Sequence, residues 1–281
     1  MIDTNDSEFL SRIESADLKA KICDAKTAAA MIQAGDILGI SGFTPCGYPK
    51  ITMHELAERM KETPFQVDVW TGASTGSQID TELVAVNGIR NRMPYQTNGN
   101  LRKAINAGSI NYYDLHLSHV AQQIRAGFFT NVKGERVTGP DFAVVEVCKI
   151  GPNGELYPTT AIGNSPVFVD TAKKVIVEVN TTQPLELAGM ADIYRRKNPP
   201  HCEPIPIKTA GDRVGTPYIP CDPAKIVAIV PCDLPDVTRA LAPLDDDAEA
   251  MGNNLIDFLK NEVAHGRLPE NLLPLQSGVG N

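Results

Sequence analysis

Short apolar runs that are typical of buried strands alternate with helical patterns along most of this chain. Apolar residues recur with helical spacing most clearly over residues 51–60 and 245–263. The strand-like runs are Ile37–Ile40, Gln66–Trp70, Phe142–Ile150, Lys174–Val179 and Ile226–Pro231. Because strands that alternate with helices form parallel crossovers, this order predicts an α/β fold. We expect an open, largely parallel sheet flanked by helices.

Three further segments carry local signals. An Asn-Gly turn within Gly151–Gly154 separates Phe142–Ile150 from the apolar run Glu155–Ile162, which predicts a β-hairpin. The alternation over Tyr112–Leu117 predicts a strand. Leu272–Leu275 also has the composition of a strand, and a glycine loop follows it.

The charge balance excludes some classes of partner. The 281 residues include 26 basic and 34 acidic side chains, which gives a net charge of −8. This balance argues against nucleic-acid binding and against a basic membrane-surface protein. The apolar runs are far shorter than the roughly 18 residues that a membrane-spanning helix needs. We therefore expect neither nucleic acid nor membrane as a partner.

The cysteine pattern indicates a reducing compartment. Six cysteines lie at irregular spacing without a CxxC pair, and the N-terminus is acidic, unlike that of a secretory signal. These features predict free thiols in a cytoplasmic protein. The five histidines are scattered, and no His/Cys cluster has ligand spacing, so we expect no metal site.

Four loops rich in Gly, Ser and Thr follow predicted strands or apolar runs. They are Ser41–Gly47, Thr71–Ser77, Tyr95–Asn100 and Gln276–Asn281. In an open α/β sheet, ligands bind beyond the carboxyl ends of the strands. Glycines let backbone N–H groups approach a ligand, and a following helix start favours anions. The loops therefore predict a site for a small anion, such as a phosphate, a carboxylate or a reaction oxyanion.

No nucleophile paired with a base is recognisable, and the chain has no GxSxG elbow. Cys46 fits a small buried thiol better than a reactive thiolate. His116 and His119 lie three residues apart near a predicted strand end, and a catalytic role is the less favoured interpretation.

Other charged residues allow two interpretations. Arg195–Lys197 would suit a phosphate, although a solvated loop is favoured. Glu146 and Glu178 alternate with apolar neighbours in predicted strands. Either would face a site at the strand ends, although a position at its rim is the commoner case.

Six segments in order carry a family resemblance. They read GISGFTPCGYPK, GASTG, MPYQTNG, YYDLHLSHV, GDRVGTPYIP and LQSGVGN. They resemble the acetyl-CoA hydrolase/transferase family, class I CoA-transferases that include succinyl-CoA:acetate CoA-transferases. The resemblance implies a NagB/RpiA/CoA-transferase-like fold with two domains. Residues 1–220 would form the first, and 221–281 would begin a second that stops before it is complete.

The resemblance also implies a reaction. In the family, a glutamate attacks an acyl-CoA thioester, and CoA then passes to a second carboxylate through a glutamyl-CoA thioester. The implied partners are a short-chain acyl-CoA and a carboxylate such as acetate, with hydrolysis as a side activity. Coenzyme A would be a substrate rather than a permanently bound cofactor. A cytoplasmic homodimer and a missing C-terminal segment or chain are also implied.

Roles follow for the loop residues that match the family motifs. A backbone loop would receive the oxyanion, polar residues would line the acyl pocket, and glycines with one aromatic residue would shape it. The oxyanion loop is Gly278, Val279 and Gly280, the polar residues are Ser74 and Thr97, and the shaping residues are Gly42, Phe43 and Gly47.

Two departures from the family pattern leave alternatives open. The family's glutamate follows the GVGN loop, so we expect it outside this chain, and neither Glu146 nor Glu178 replaces it. Family members often carry arginine after an Asp-Leu-Pro-Asp-like turn, where this chain has Val237, with Arg239 the nearest arginine. A non-catalytic acyl-CoA-binding or partner subunit is the alternative. A sugar-phosphate isomerase relative is less favoured, because no acid/base set is recognisable.

Overall fold

The computed structural model describes residues 3–40, 42–43, 45–237, 243–276 and 278. The chain divides into two units, residues 1–237 and residues 238–281. The first unit contains all ten described strands, and the second contains the helix Asp246–Ala264. The expected boundary between residues 220 and 221, and the assignment of two family domains, stay predictions.

The first unit is built on one mostly parallel sheet. The strands are β1 (Ile37–Ile40), β2 (Val67–Thr71), β3 (Ile89–Met93), β4 (Asn111–Tyr112), β5 (Phe129–Thr130), β6 (Arg136–Val137), β7 (Phe142–Ile150), β8 (Leu156–Pro158), β9 (Lys174–Asn180) and β10 (Ile226–Cys232). The main sheet has the order β10-β9-β7-β1-β2-β3-β4, in which all neighbours are parallel. β8 pairs with β7 in antiparallel fashion, so the predicted hairpin is confirmed. β5 and β6 form a separate antiparallel pair.

Helices of the first unit cover both faces of this sheet, and α8 belongs to the second unit. The α-helices are α1 (Ser7–Ser11), α2 (Ala16–Lys19), α3 (Ala25–Ala30), α4 (Ile51–Glu62), α5 (Gly99–Asn106), α6 (Leu117–Arg125), α7 (Ser165–Thr171) and α8 (Asp246–Ala264). A π-helical segment spans Gln78–Leu83, and 3-10 turns span Leu185–Leu187 and Pro223–Lys225. The expected open, largely parallel α/β sheet with flanking helices is thereby confirmed.

The alternation of side chains along the strands creates two cores. Leu38 and Ile40 of β1 belong to the cluster that contains Met53 of α4. Ile37 belongs to the opposite cluster, with Phe168 of α7. The lack of a side chain at Gly39 allows Phe168 to pack on β1, because a Cβ there would lie 2.7 Å from its ring.

Two predicted strands are wrong. In place of a strand over Tyr112–Leu117, pairing ends at Tyr112, and α6 begins at Leu117. The described residues of 272–276 form no strand, and Leu273 and Leu275 are each 64% exposed. Apolar composition alone does not make a strand where no neighbouring strand supplies hydrogen bonds.

Candidate functional site

Three loops lie side by side at the carboxyl edge of the sheet because they follow adjacent parallel strands. The first loop follows β1 and is described at residues 42, 43 and 45–50. The second loop, residues 72–77, follows β2, and the third loop, residues 94–98, follows β3. β1, β2 and β3 are neighbours in the sheet, so the expected meeting of these loops has a structural basis.

Tyr48 joins the first loop to the second. Its side chain is buried, and its hydroxyl donates to Gln78 Oε1 at 2.8 Å. The ring packs directly against Gly76, where a Cβ would lie 1.9 Å from the ring carbon Cζ. Gly42 is similarly close, because a Cβ there would lie 2.6 Å from Tyr48 Cβ. Both positions require glycine because the Tyr48 side chain lies too close to their backbone to leave room for a Cβ.

A pair of hydroxyls joins the second loop to the third. Ser74 Oγ lies 2.8 Å from Thr97 Oγ1, and the Thr97 N–H donates to Ser74 Oγ at 3.1 Å. Ser74 is buried, whereas Thr97 is exposed. The two residues for which the family resemblance implies a place in an acyl pocket are therefore direct neighbours, and Thr97 is the one that solvent reaches.

A buried ion pair supports the second loop from below. Arg92 donates through Nε to Asp80 Oδ1 at 3.1 Å and through Nη1 to Thr71 Oγ1 at 2.7 Å. Asp80 Oδ2 accepts from the backbone and the hydroxyl of Thr75, at 3.3 and 3.2 Å. Because both charges are fully buried and paired, this contact fixes the loop backbone.

The helix start after the first loop is capped by the protein itself. Glu178 accepts hydrogen bonds from the backbone N–H groups of Lys50, Ile51 and Thr52, at 2.7, 3.3 and 2.6 Å. Its carboxylate occupies the position that a ligand anion takes at an open helix N-terminus. Asn98 caps α5 in the same way. Side chains of the protein therefore accept from the first N–H groups of both helices, and the expected anion site stays a prediction.

A buried charge cluster lies under the first loop. The Lys50 ammonium contacts Glu146 and lies 3.0 Å from Asp236 Oδ1. Glu146 also accepts from Thr159 Oγ1 at 2.8 Å and from Asn180 Nδ2 at 2.9 Å. We call Lys50, Glu146 and Asp236 the charge cluster.

The environment changes the pKa of each member of the charge cluster. Burial raises the pKa of Glu146 to about 7, although Lys50, Asn180 and Thr159 favour its ionised form. Burial opposes the charge of Lys50, but Glu146 and Asp236 outweigh it and raise the lysine pKa. Burial also opposes ionisation of Asp236, yet the hydrogen bond from Thr160 and the charge of Lys50 hold its pKa below the ordinary range.

Asp236 connects distant segments to the first loop. Its carboxylate accepts from the Gly47 N–H at 3.1 Å, from Thr160 Oγ1 at 2.6 Å and from Gln183 Nε2 at 3.1 Å. Gly47 has a φ of +60°, which an L side chain rarely adopts. The Asp-Leu-Pro-Asp turn therefore holds the first loop in a conformation that depends on glycine.

The described residues include one group with the composition of a metal site. Ligand atoms of Glu146, Glu178 and Cys232 lie within 4.8 Å of one another. Both oxygens of each carboxylate already accept hydrogen bonds from the protein. Burial raises the pKa of the Cys232 thiol and so disfavours the thiolate that a metal requires. We assign no metal to this group.

Comparison with known proteins assigns the family. The family model for the acetyl-CoA hydrolase/transferase N-terminal domain matches residues 9–231. The chain belongs to the acetyl-CoA hydrolase/transferase family. The match includes the first, second and third loops together with the strands that position them.

Curated relatives agree with the family match. The chain is 48% identical over 272 residues to a succinyl-CoA:acetate CoA-transferase of Clostridium kluyveri, covering 96% of the chain and 49% of the relative. It is 41% identical to a propanoyl-CoA:succinate CoA transferase of Escherichia coli, covering 92% and 52%. It is 38% identical to an acetyl-CoA hydrolase of Schizosaccharomyces pombe, covering 96% and 52%. The chain thus spans about half the length of these relatives.

A solved structure shares the fold at low identity. RipA from Yersinia pestis superposes with a TM-score of 0.54 and 16% identity, over 85% of this chain and 48% of that chain. Among the described residues, no helix combines the length and apolar character needed to cross a membrane.

The remaining family-derived positions have different outcomes. Phe43 is described and 54% exposed. Gly278 is described within the second unit, whereas Val279, Gly280 and Arg239 lie outside the described residues. The roles of these positions stay predictions.

The other candidates from the sequence can also be located. Burial raises the pKa of Cys46, which agrees with an unreactive thiol. His116 and His119 are exposed at the start of α6. Glu146 and Glu178 do not lie at a rim, because both are buried and engaged within the protein.

Sequence reasoning missed Tyr48, Lys50 and Asp236, which hold the first loop. Lys50 directly precedes α4, where a cation is unfavourable unless it is paired. The acidic residues inside two apolar strands, Glu146 and Glu178, were the available signal. A buried carboxylate requires hydrogen-bond donors. Lys50, the basic residue just before α4, was therefore a candidate partner for them.

Proposed function

We propose that this chain supplies part of a CoA-transferase that moves CoA between a short-chain acyl-CoA and a carboxylate such as acetate. Acyl-CoA hydrolysis is its side activity. The observation that carries the proposal is the 48% identity to a succinyl-CoA:acetate CoA-transferase across nearly the whole chain. Relatives that are named acetyl-CoA hydrolases support the side activity.

The second and third loops form the acyl pocket in this proposal. Thr97 is exposed and is held by a hydrogen bond to buried Ser74, so its hydroxyl is fixed at the surface of the loop pair. Phe43 presents an exposed aromatic side chain on the first loop. A small polar wall with one aromatic group suits a short acyl chain that carries a carboxylate or a methyl end.

The nucleophilic glutamate comes from outside these 281 residues. Glu146 and Glu178 both lie in strands of the sheet, are buried and accept several hydrogen bonds. A carboxylate that attacks a thioester must reach the thioester carbon, and these two cannot do so without losing their partners. In this proposal both carboxylates have a structural role, which is to hold the first loop through Lys50 and the start of α4.

A chimera tests the function. The chain is assayed for transfer of CoA from succinyl-CoA to labelled acetate, alone and fused to the remaining half of the Clostridium kluyveri relative. We expect transfer only by the fusion. Turnover by the chain alone would refute the assignment of the nucleophile. An inactive fusion that folds and still binds acyl-CoA would favour the alternative, a non-catalytic acyl-CoA-binding or partner subunit.

We further propose a cytoplasmic homodimer that uses coenzyme A as a substrate and holds no permanent cofactor. The six unpaired cysteines support a reducing compartment. The dimer follows from the family resemblance, and light scattering of the purified protein would test it. Subcellular fractionation of the source cells would test the compartment.

A further inference from the structure

A cavity of about 310 Å³ lies on one face of the main sheet, at the edge that β4 forms. We call it the edge cavity. Its floor comes from β2, β3 and β4, and its wall is the segment Phe128–Asn131, which includes β5. None of the residues that line it belongs to the first, second or third loop. Small-molecule sites commonly have volumes of about 300–1,000 Å³, so a small ligand fits this cavity.

A row of polar side chains crosses the floor of the edge cavity. Asp68, Asn91 and Asn111 lie opposite one another on three neighbouring strands. Asn111 Nδ2 donates to Asn91 Oδ1 at 2.9 Å, and Asn91 Nδ2 donates to Asp68 Oδ2 at 2.9 Å. Because an ionised carboxylate only accepts, Asp68 fixes the direction of both amides. The row therefore ends at Asn111 Oδ1, an acceptor to which no described residue donates.

An irregularity in β3 adds an arginine to this row. The register between β2 and β3 shifts between Val67 and Asp68, so Arg90 is an extra residue beside Asn91. Arg90 Nε donates to Asp68 Oδ1 at 2.8 Å, and its Nη2 contacts Asp68 Oδ2. The other end of the guanidinium, formed by Nη1 and the second N–H of Nη2, has no partner among the described residues. Since the Arg90 side chain is 31% exposed and lines the cavity, this pair of donors is open to a ligand.

Aromatic side chains form the sides of the edge cavity. Trp70 is buried, and its ring centroid lies 5.2 Å from that of Phe129. Tyr113 and Phe128 also line the cavity, yet they are 49% and 69% exposed. The position of Phe128 is fixed, because its N–H donates to the Gln123 carbonyl of α6 at 3.0 Å and the next residue begins β5. A flat ligand would bury the aromatic surface that is now exposed.

The charges and free polar groups of the edge cavity define the ligand. The charged residues that line it are Asp68 and Arg90, and because they pair with each other, the cavity suits a neutral molecule. The free donors of Arg90 require two adjacent acceptors, and Asn111 Oδ1 requires an N–H group. A 6-oxopurine ring has both, since its O6 and N7 atoms accept from an arginine and its N1–H donates. Its flat faces stack on aromatic side chains.

We propose that the edge cavity binds a free 6-oxopurine base or nucleoside, of the guanine or hypoxanthine type. Arg90 donates to O6 and N7, Asn111 accepts from N1–H, and the ring stacks on Tyr113 and Phe128. The net charge of −8 disfavours a polynucleotide as the source of the base. The proposal does not depend on the proposed function.

Titration of the full chain with inosine tests the proposal. Inosine has O6, N7 and N1–H, whereas adenosine has an amino group at position 6 and no N1–H, so the two form a matched pair of ligands. Trp70 is the one tryptophan in the sequence and lines the cavity, so its fluorescence reports binding beside calorimetry. We expect inosine to bind and to change this fluorescence, with a Kd about tenfold lower than that of adenosine. Equal or tighter binding of adenosine would overturn the role of Arg90.

Variants locate the binding in the edge cavity. Arg90→Lys keeps a cation beside buried Asp68 but lacks the paired donors, and should raise the Kd of inosine about tenfold. Phe128→Ala changes an exposed side chain, so the fold is retained, and should raise it about fivefold or more. Phe258→Ala removes another exposed aromatic ring, in α8, and should leave the Kd within about twofold. If neither Arg90→Lys nor Phe128→Ala changes the Kd, inosine binds elsewhere and the proposal is wrong.

Two further results would overturn the proposal. The first is the absence of both heat and fluorescence change with inosine up to its solubility. The second is a dimer in light scattering that Phe128→Ala dissociates and that does not bind inosine, because a second copy of the chain would then occupy the cavity. The transfer assay of the chimera decides the proposed function separately, since no residue of the three loops lines the edge cavity.

Discussion

The residues that hold the first loop do so mainly through buried charges. A buried charge stabilises the fold only while it is paired, so each of these residues depends on its partners. Glu178 shows this at the start of α4, where one carboxylate accepts three backbone N–H groups. Lys50 follows the same principle, since its ammonium is buried between two carboxylates. Isosteric changes that remove charge should therefore be more disruptive here than their size suggests.

Glu178→Gln should lower the free energy of unfolding by about 2–4 kcal/mol, because an amide group then faces backbone donors without a charge to accept them. Urea denaturation measures the change. Glu62→Gln, at the exposed end of α4, is the matched control and should stay within about 0.5 kcal/mol of the wild type. Equal stabilities of the two variants would contradict the capping role of Glu178.

Glu146 should make stability depend on pH in a definite direction. Burial raises its pKa in the folded protein to about 7, above the ordinary value of 4.5. Between these values the folded state binds more protons than the unfolded state, so ionisation of Glu146 destabilises the fold as the pH rises. The wild type should lose up to about 3 kcal/mol relative to Glu146→Gln between pH 4.5 and pH 7.

Urea denaturation of both proteins at several pH values across that window measures the difference. Asp236 has a lowered pKa and Lys50 a raised one, so their titrations fall outside the window. A wild type that gains stability over Glu146→Gln as the pH rises would show that Lys50 outweighs burial at this carboxylate.

At the scale of elements, the three loops act as a connected set. Ser74→Ala removes an acceptor from the Thr97 N–H and a partner from the Thr97 hydroxyl, and should cost about 1–2 kcal/mol. Thr97→Ala keeps the backbone hydrogen bond and should cost less. The double variant should show a coupling of about 1 kcal/mol in urea denaturation. Additive effects would mean that the second and third loops are independent.

The contact between Gly76 and Tyr48 offers a steric test of the first and second loops. Gly76→Ala places a Cβ against the Tyr48 ring, which cannot move freely because it is buried, and should cost more than about 2 kcal/mol. Gly99→Ala, where the nearest atom is 4.0 Å away, should be neutral or slightly stabilising. Thermal unfolding compares them, and Tyr48→Leu in the Gly76→Ala background should recover part of the loss if the ring is the cause.

Elements with apolar periodicity were predictable from sequence, and those that depend on distant partners were not. β7, β9 and β10 follow apolar runs, and their parallel arrangement agrees with the prediction. β3 has the sequence Ile-Arg-Asn-Arg-Met and carries no such run. It pairs with β2 and β4, and its arginines are paired in the fold, Arg90 with Asp68 and Arg92 with Asp80, residues at least twelve positions apart.

The candidate site likewise contains features that were recognisable from the sequence and features that depend on distant partners. The glycine loops were recognisable as motifs, and their order along the sheet followed from parallel topology. The charge cluster was not recognisable, because Lys50, Glu146 and Asp236 come from three separate parts of the sequence. Only the fold shows that they meet.

At the scale of the whole molecule, the last part of the first unit is the turn that carries Asp236. All strands of the main sheet end by Cys232, yet Asp236 accepts from Gly47, Thr160 and Gln183 and pairs with Lys50. Five residues beyond the sheet therefore close the first loop. A chain cut after residue 237 keeps this closure, whereas a chain cut after residue 232 loses it while retaining every strand.

We expect the 1–237 chain to unfold cooperatively, and its free energy of unfolding is the reference for the shorter chain. The 1–232 chain should be less stable by roughly 2–4 kcal/mol, because Lys50 loses one of its two buried counter-charges and Gly47 N–H loses its acceptor. Asp236→Asn in the full chain should reproduce much of that loss, which separates the effect of the carboxylate from that of truncation. Urea denaturation followed by the fluorescence of Trp70, which lies in β2, reports on the sheet itself. If the 1–232 and 1–237 chains unfold at the same urea concentration, Asp236 does not hold the first loop, and the charge cluster is stable without it.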